Sequence, residues 1–222
     1  MKTRDRIVKE ARILYNELGY ANVSSATLAG HIGIAEGNLW YHFKTKGAIL
    51  NAISERFAVD IESRLALMPA PGRDVVEDYA GLFRAIITEL REYRFLYRDQ
   101  ADYGGHDQVI RLGVPGWTER THTQLRAFYN ALVAQGLLDW PQERLADLAI
   151  NAAIVLRYGL DHYREMGGPI QEGGGAVRNT LLRHLTLFEH RLSPSAAIRL
   201  RRSIDEIDQN EFGELALVSS EQ

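Results

Sequence analysis

Residues 36–46, EGNLWYHFKTK, crowd hydrogen-bonding and cationic side chains into one short stretch. Trp40, Tyr41, His42, Lys44, Thr45 and Lys46 supply N–H, O–H and ammonium donors, the groups that hold phosphate oxygens. Lys46 also stands where a following helix would begin, and the free N–H groups and dipole of a helix start attract an anion. The chemistry offered is recognition of a polyanion. Nothing comparable points to catalysis: there is no Ser-His-Asp constellation, no carboxylate pair at a meaningful spacing and no cofactor signature. With no cysteine among 222 residues, a thiolate nucleophile, a disulfide framework, an iron–sulfur cluster and a Cys-ligated zinc are excluded. No His/Asp/Glu cluster at metal-ligand spacing stands out, so neither a metal nor a cofactor is expected.

The elements that must position this stretch are short helices. Ser24 is an N-cap candidate, and Ser25–His31 makes about two turns that bury Leu28 and Ala29. Gly33 falls where the chain must turn, with Ile32 and Ile34 to plug the space between two helices. Ala35–Phe43 makes a second helix burying Leu39 and Phe43. Two short helices across a glycine turn form a helix-turn-helix, whose second helix enters the DNA major groove with its N-terminal residues toward base edges. A glycine-centred helix pair also occurs in helical enzymes, and Trp40 and His42 each have an ordinary reading as a half-buried packing residue and a satisfied surface histidine.

In their order and spacing, Gly19-Tyr20, Leu28-Ala29, Gly33-Ile34, Gly37, Leu39, Tyr41-His42-Phe43, Lys46 and Ile49-Leu50 resemble the DNA-binding domain of the TetR family of bacterial transcriptional regulators. The resemblance covers residues 3–50. It implies base contacts from Ser25, Ala26, Glu36, Gly37 and Asn38, with Ala26 offering only a methyl, Asn38 suited to adenine and Glu36 to cytosine. It implies phosphate contacts from Trp40, Tyr41, His42 and Lys46. Two positions depart from the family pattern. Ala35 stands where the family usually has a capping Ser or Thr, and Trp40 stands where it usually has Tyr. With few arginines among these contacts, part of the operator specificity would rest on DNA shape.

The rest of the chain reads as long helices, so the expected fold is all-α, with roughly nine or ten helices in all. Apolar periodicity marks helices over Arg4–Leu18, Lys46–Met68, Arg73–Arg98, Pro115–Val133, Gln142–Met166, Ala176–Leu192 and Ser193 to about Asp208. The expected division is a helix-turn-helix domain over 1–46, a helical effector-binding and dimerisation domain over 47–210 and a tail over 211–222. Gly167–Gly175 lacks the GxxxxGK[ST] phosphate-loop pattern and reads as a connection between helices.

The resemblance implies a homodimer built through about 142–166 and 176–192, reading a palindrome in double-stranded DNA. The candidate faces are Leu148, Ala152, Val155/Leu156 and Gly159 on one helix and Leu181, Leu185, Phe188 and Leu192 on the other. The same stripes would equally serve the chain's own core. The family's effector site directs attention to Phe83, Tyr93, Tyr97, Tyr103, Trp117, Phe128, Tyr158 and His162, with His106 and His122 as further polar anchors. Tyrosines on an apolar wall suit an unknown small, moderately apolar molecule, although aromatics also simply fill cores.

The charge distribution agrees with a DNA-facing head. Residues 1–50 carry seven Lys/Arg against four Asp/Glu, including all four lysines of the chain, whereas the whole chain is at −3. No stretch approaches 18 uninterrupted apolar residues, and the N-terminus has no apolar core of secretory length. A cytoplasmic protein with no membrane partner is expected. The reading that results is a ligand-responsive repressor released from its operator by an effector that alters the separation of two heads. The alternatives are a helical enzyme or small-molecule carrier with an incidental helix pair, and a DNA-binding activator without an effector.

Overall fold

The computed structural model describes residues 3–103, 105, 108–166 and 175–218. For Gln100, Arg164 and residues 208–218 it describes the backbone alone. His106 and most of the Gly167–Gly175 connection lie outside the described residues. Among the described residues the regular structure is helical: α1 (Thr3–Leu18), α2 (Ser25–Ile32), α3 (Glu36–His42), α4 (Lys46–Leu65), α5 (Val75–Arg98), α6 (Gln108–Ala134), α7 (Leu145–Glu165), α8 (Ala176–Thr186) and α9 (Pro194–Val218).

The chain divides into two compact units. One comprises residues 1–64 with 88–118, and the other 65–87 with 119–222. The expected boundary at residue 46 therefore falls inside the first unit, which takes in α4 and the C-terminal part of α5.

In the first unit, α1 stops because Gly19 takes the left-handed conformation (φ 87°) that closes its last turn. Ile7, Ala11, Leu14 and Tyr15 of α1 are buried with Leu28, Leu39, Ile49, Leu50 and Phe57. Tyr15 packs edge-on against Tyr20 at 5.2 Å, and Tyr20 against Tyr103 at 5.1 Å. A buried ion pair, Arg64 Nε to Glu89 Oε2 at 3.0 Å, ties α4 to α5. The Tyr97 hydroxyl satisfies the other Glu89 oxygen at 2.9 Å, as a buried carboxylate requires.

In the second unit, the buried face of α7 (Leu148, Ala152, Leu156) meets that of α8 (Leu181, Leu185). The helices approach so closely at Gly159 that a Cβ there would stand 2.3 Å from Thr180 Cγ2. α9 is joined to this unit by Arg178–Asp205 at 2.7 Å and by the Arg199–Asp74 ion pair.

The helix bounds that depart furthest from the sequence expectation are those of α6, α8 and α9. Helix α6 begins at Gln108 and carries Pro115 in its interior, where it had been expected to open the helix. Gly113 makes room there: a Cβ would lie 2.3 Å from the Trp117 ring one turn on. Helix α8 ends at Thr186, and a 3₁₀ turn over Glu189–Arg191 completes the stretch to Leu192. The backbone of α9 is helical to Val218, ten residues past the expected end and into the stretch expected as a tail.

Candidate nucleic-acid interface

The helix pair forms as its local sequence dictates. Ser24 Oγ accepts from Thr27 N–H at 3.0 Å and caps α2. Gly33 takes φ 74°, and Ile34 N–H returns to the Ala29 carbonyl at 3.0 Å, closing α2 with a left-handed turn. Ala35 begins α3 with no side-chain cap, as its methyl dictates, and its carbonyl alone receives Asn38 N–H at 2.9 Å. Leu39 and Phe43 anchor the helix in the unit's core.

The outward side of α3 presents Glu36, Gly37, Asn38 and Tyr41, the last 76% exposed. Ala26 of α2 is also exposed, whereas Ser25, Trp40 and His42 are half-buried. The Tyr41 and His42 rings meet edge-on at 5.2 Å. Ser25 Oγ donates to the Glu36 carboxylate across the turn. Two residues expected to reach different bases thus hold each other, and the Glu36 acceptor is already engaged.

Lys46, expected at a phosphate, is turned toward the head in the DNA-free chain. Its ammonium donates to the Tyr20 carbonyl and lies 4.2 Å from the Tyr20 ring centroid. Partial burial lowers its pKa, against the opposing pull of Asp102. The side chain therefore braces the turn after α1 from within. Thr45 Oγ1 caps α4 by accepting from Ala48 N–H at 3.0 Å.

The aromatic residues expected to share one ligand site are distributed among several environments. In the first unit Tyr93, Tyr97 and Trp117 surround Phe57 at ring distances of 5.2, 5.5 and 5.3 Å. Tyr93 donates to Asp60 at 2.5 Å, and Trp117 Nε1 to Glu62 at 3.1 Å. Tyr103 is buried in the head core and donates to the Phe95 carbonyl at 2.5 Å. Tyr158 and His162 are exposed on α7, where the helical period turns them away from the core.

Only Phe83 and Phe128 of that set lie in the second unit's buried aromatic cluster. They pack on Tyr79 at 4.5 and 5.3 Å. This cluster contains a polar relay that sequence reasoning missed. Tyr79 Oη donates to Tyr129 Oη at 2.8 Å, and His184 Nε2 lies 2.8 Å from Tyr79 Oη. Tyr79 has one proton and gives it to Tyr129, so its oxygen accepts from His184 Nε2–H. Burial lowers the His184 pKa to about 3 and keeps the ring neutral, opposed by the Ala152 carbonyl. It also pushes both tyrosine hydroxyls well above their ordinary range.

Most of the residues expected at a dimer contact are turned into the chain's own core: Leu148, Ala152, Leu156, Gly159, Leu181, Leu185 and Phe188 are buried, whereas Val155 and Leu192 are half-buried. The outward side of α7 instead carries Ile150, Ile154 and Tyr158, 41, 50 and 55% exposed, at four-residue intervals that align them on one face. Arg201 and Arg202 of α9 pair with Glu189 and Glu206 on the surface. Among the described residues no helix is long and apolar enough to cross a membrane.

Comparison with known proteins agrees with this architecture. Residues 7–53 match the family described as bacterial regulatory proteins, tetR family, and residues 56–198 match one described as bacterial transcriptional repressor. The HTH-type transcriptional regulator TcmR of Streptomyces glaucescens is 24% identical over 124 residues, 54% of this chain and 49% of that relative. The chain thus spans about half the length of this curated relative. A TetR-family transcriptional regulator from Marinobacter aquaeolei VT8 superposes with a TM-score of 0.76 at 22% identity, over 93% of this chain and 99% of that one. The SmeT–triclosan complex superposes with a TM-score of 0.54 at 18% identity, over 87% and 93% of the two chains. With a helix-turn-helix at residues 24–43 and family matches over nearly all of 7–198, the chain belongs to the TetR family of bacterial regulatory proteins.

Proposed function

We propose that this chain is a cytoplasmic, ligand-responsive repressor that binds a palindromic operator as a homodimer and is released by a small, moderately apolar effector. It acts by binding and not by catalysis. The observation that carries the DNA half is the exposed side of α3, where Gly37, Asn38 and Tyr41 stand clear of the core while Leu39 and Phe43 fix the helix. Base readout is assigned to Ala26, Gly37 and Asn38, with the Ser25–Glu36 pair beside them. Phosphate contact is assigned to Trp40, Tyr41, His42 and the backbone N–H groups at the start of α4.

The dimer is assigned to the Ile150, Ile154 and Tyr158 stripe, an exposed apolar row on α7 flanked by the exposed Asp147, Asn151 and His162. The effector is assigned to the second unit's aromatic cluster, where Tyr79, Tyr129 and His184 place hydrogen-bonding groups in an apolar surround. That SmeT, a similar structure, is known in complex with triclosan supports a small-molecule effector.

Selection from random duplex DNA at moderate salt tests this reading. An enriched palindrome is expected, with half-sites about one helical turn apart. Enrichment of no sequence would contradict it.

A further inference from the structure

Helix α5 is broken at Tyr93, whose backbone (φ −123°, ψ 21°) leaves the helical region. The flanking Arg91, Glu92, Arg94 and Phe95 include neither proline nor glycine, so the usual local causes of a break are missing. The cause comes from α1. In a continuous helix Phe95 N–H would donate to the Arg91 carbonyl four residues back. Here Phe95 N–H donates to Asn16 Oδ1 at 3.1 Å. Asn16 Nδ2 donates to the Glu92 carbonyl at 2.7 Å and the Arg91 carbonyl at 3.3 Å. One side-chain amide has replaced a rung of the α5 ladder and satisfied the groups on both sides of the gap.

The arrangement is reinforced from both helices. Arg12 Nη1 donates to the same Glu92 carbonyl at 3.0 Å and pairs with the Glu92 carboxylate at 2.6 Å. In return, Arg98 covers the last carbonyls of α1, reaching Asn16 O at 3.2 Å and Tyr15 O at 3.0 Å. Asn16 is buried, 8% exposed, so its amide has little water to turn to.

We propose that Asn16 is a positioning residue for DNA reading, its amide a removable wedge in α5 that sets the seat of α1. Two arrangements are available to α5. With the amide in, the helix is broken and α1 is held. With the amide out, Phe95 N–H closes onto Arg91 and α5 runs on. Closing the rung while α1 stays in place would take from the buried Asn16 Oδ1 its Phe95 donor, so closure must move α1. α1 packs on α2, and α2 on α3, so the reading helix moves with it. The DNA part of this inference rests on the proposed function. The exchange within α5 does not.

The test uses the full chain, as wild type, Asn16→Ala and Asn16→Asp. Backbone chemical shifts of Arg91–Phe95 report whether α5 is broken or continuous. Titration with the duplex selected by the wild type reports reading. For Asn16→Ala, helical shifts at Tyr93 are expected, together with operator affinity weakened about tenfold. An aspartate can replace the amide only when protonated, because only then does it both donate and accept. Asn16→Asp is therefore expected to regain break-type shifts on acidification, which a mere loss of packing would not produce, and it keeps the test open if the alanine variant does not fold. Break-type shifts at Tyr93 in Asn16→Ala would overturn the wedge. Helical shifts with unchanged operator affinity would overturn the positioning role. Failure of the wild type to select any duplex would overturn the regulator reading, and the Tyr93 shifts would still decide the wedge.

Discussion

Ser25 on α2 donates a hydrogen bond to the Glu36 carboxylate on α3, so the two helices of the DNA-reading pair are joined by side chains as well as by the Gly33 turn. The bond also keeps a negative charge at the surface that faces DNA. Glu36→Ala removes a charge that repels phosphates and the carboxylate that holds Ser25 beside the base-reading residues. The expected result is about two- to fivefold tighter binding to random duplex and a smaller ratio of specific to random affinity. Fluorescence anisotropy titration against both duplexes measures the two quantities. A variant that loses affinity for random DNA would show that Glu36 is not repelling phosphates.

Lys46 is held inside the head by the Tyr20 carbonyl and ring. Lys46→Ala is expected to destabilise the chain by about 1–2 kcal/mol, the worth of a charge-assisted hydrogen bond to a carbonyl. The slope of log affinity against log salt should be unchanged. A decrease of about 1 in the magnitude of that slope would mean that the ammonium leaves Tyr20 for a phosphate when DNA binds.

His184 ties stability to pH. Its folded pKa of about 3 lies below the ordinary value of 6.5, because burial penalises the charged ring. The unfolded chain therefore binds a proton that the folded chain does not, throughout that window. Stability is fully present above pH 6.5 and is lost progressively as pH falls toward 3. Between pH 7 and 4.5 the loss from this residue is about 2–3 kcal/mol. Denaturant titration at the two pH values measures it. His184→Leu is expected to remove that part of the pH dependence, and a slope identical to wild type would contradict the assignment.

The α7 stripe gives the dimer its test. Ile154→Glu places a charge at the middle of the apolar row without touching the chain's own core, since Ile154 is half exposed. Sedimentation is expected to show a monomer, with operator affinity lost because two heads no longer bind together. Leu112→Glu, at another exposed apolar position on α6, is expected to leave the assembly unchanged. A dimer that persists in Ile154→Glu would place the interface elsewhere.

The features legible in the sequence are those written locally. Ser24 as a cap, Gly33 as a turn and the missing cap at Ala35 each depend on a few neighbouring residues, and each stands in the structure as expected. Periodicity marks buried faces, but it does not say what lies against them. Leu148, Ala152 and Leu185 read as well for a partner chain as for the core they occupy. Pro115 carries a strong start signal, yet it stands inside α6, which begins seven residues earlier at Gln108. Tyr79 lies 50 positions from Tyr129 and 105 from His184, so no spacing rule connects them. The inward turn of Lys46 and the insertion of Asn16 into α5 are likewise matters of tertiary approach.

The most direct measurement compares the duplexes selected from a random pool by the wild type and by Asn38→Ala, read at single-base resolution. Asn38 is exposed on the first turn of α3. The expected result is a palindrome for the wild type, and for the variant a loss of preference worth roughly 1–3 kcal/mol at one base pair in each half-site. A wild type that enriches no sequence, or a variant weakened equally on all sequences, would contradict DNA reading by this helix.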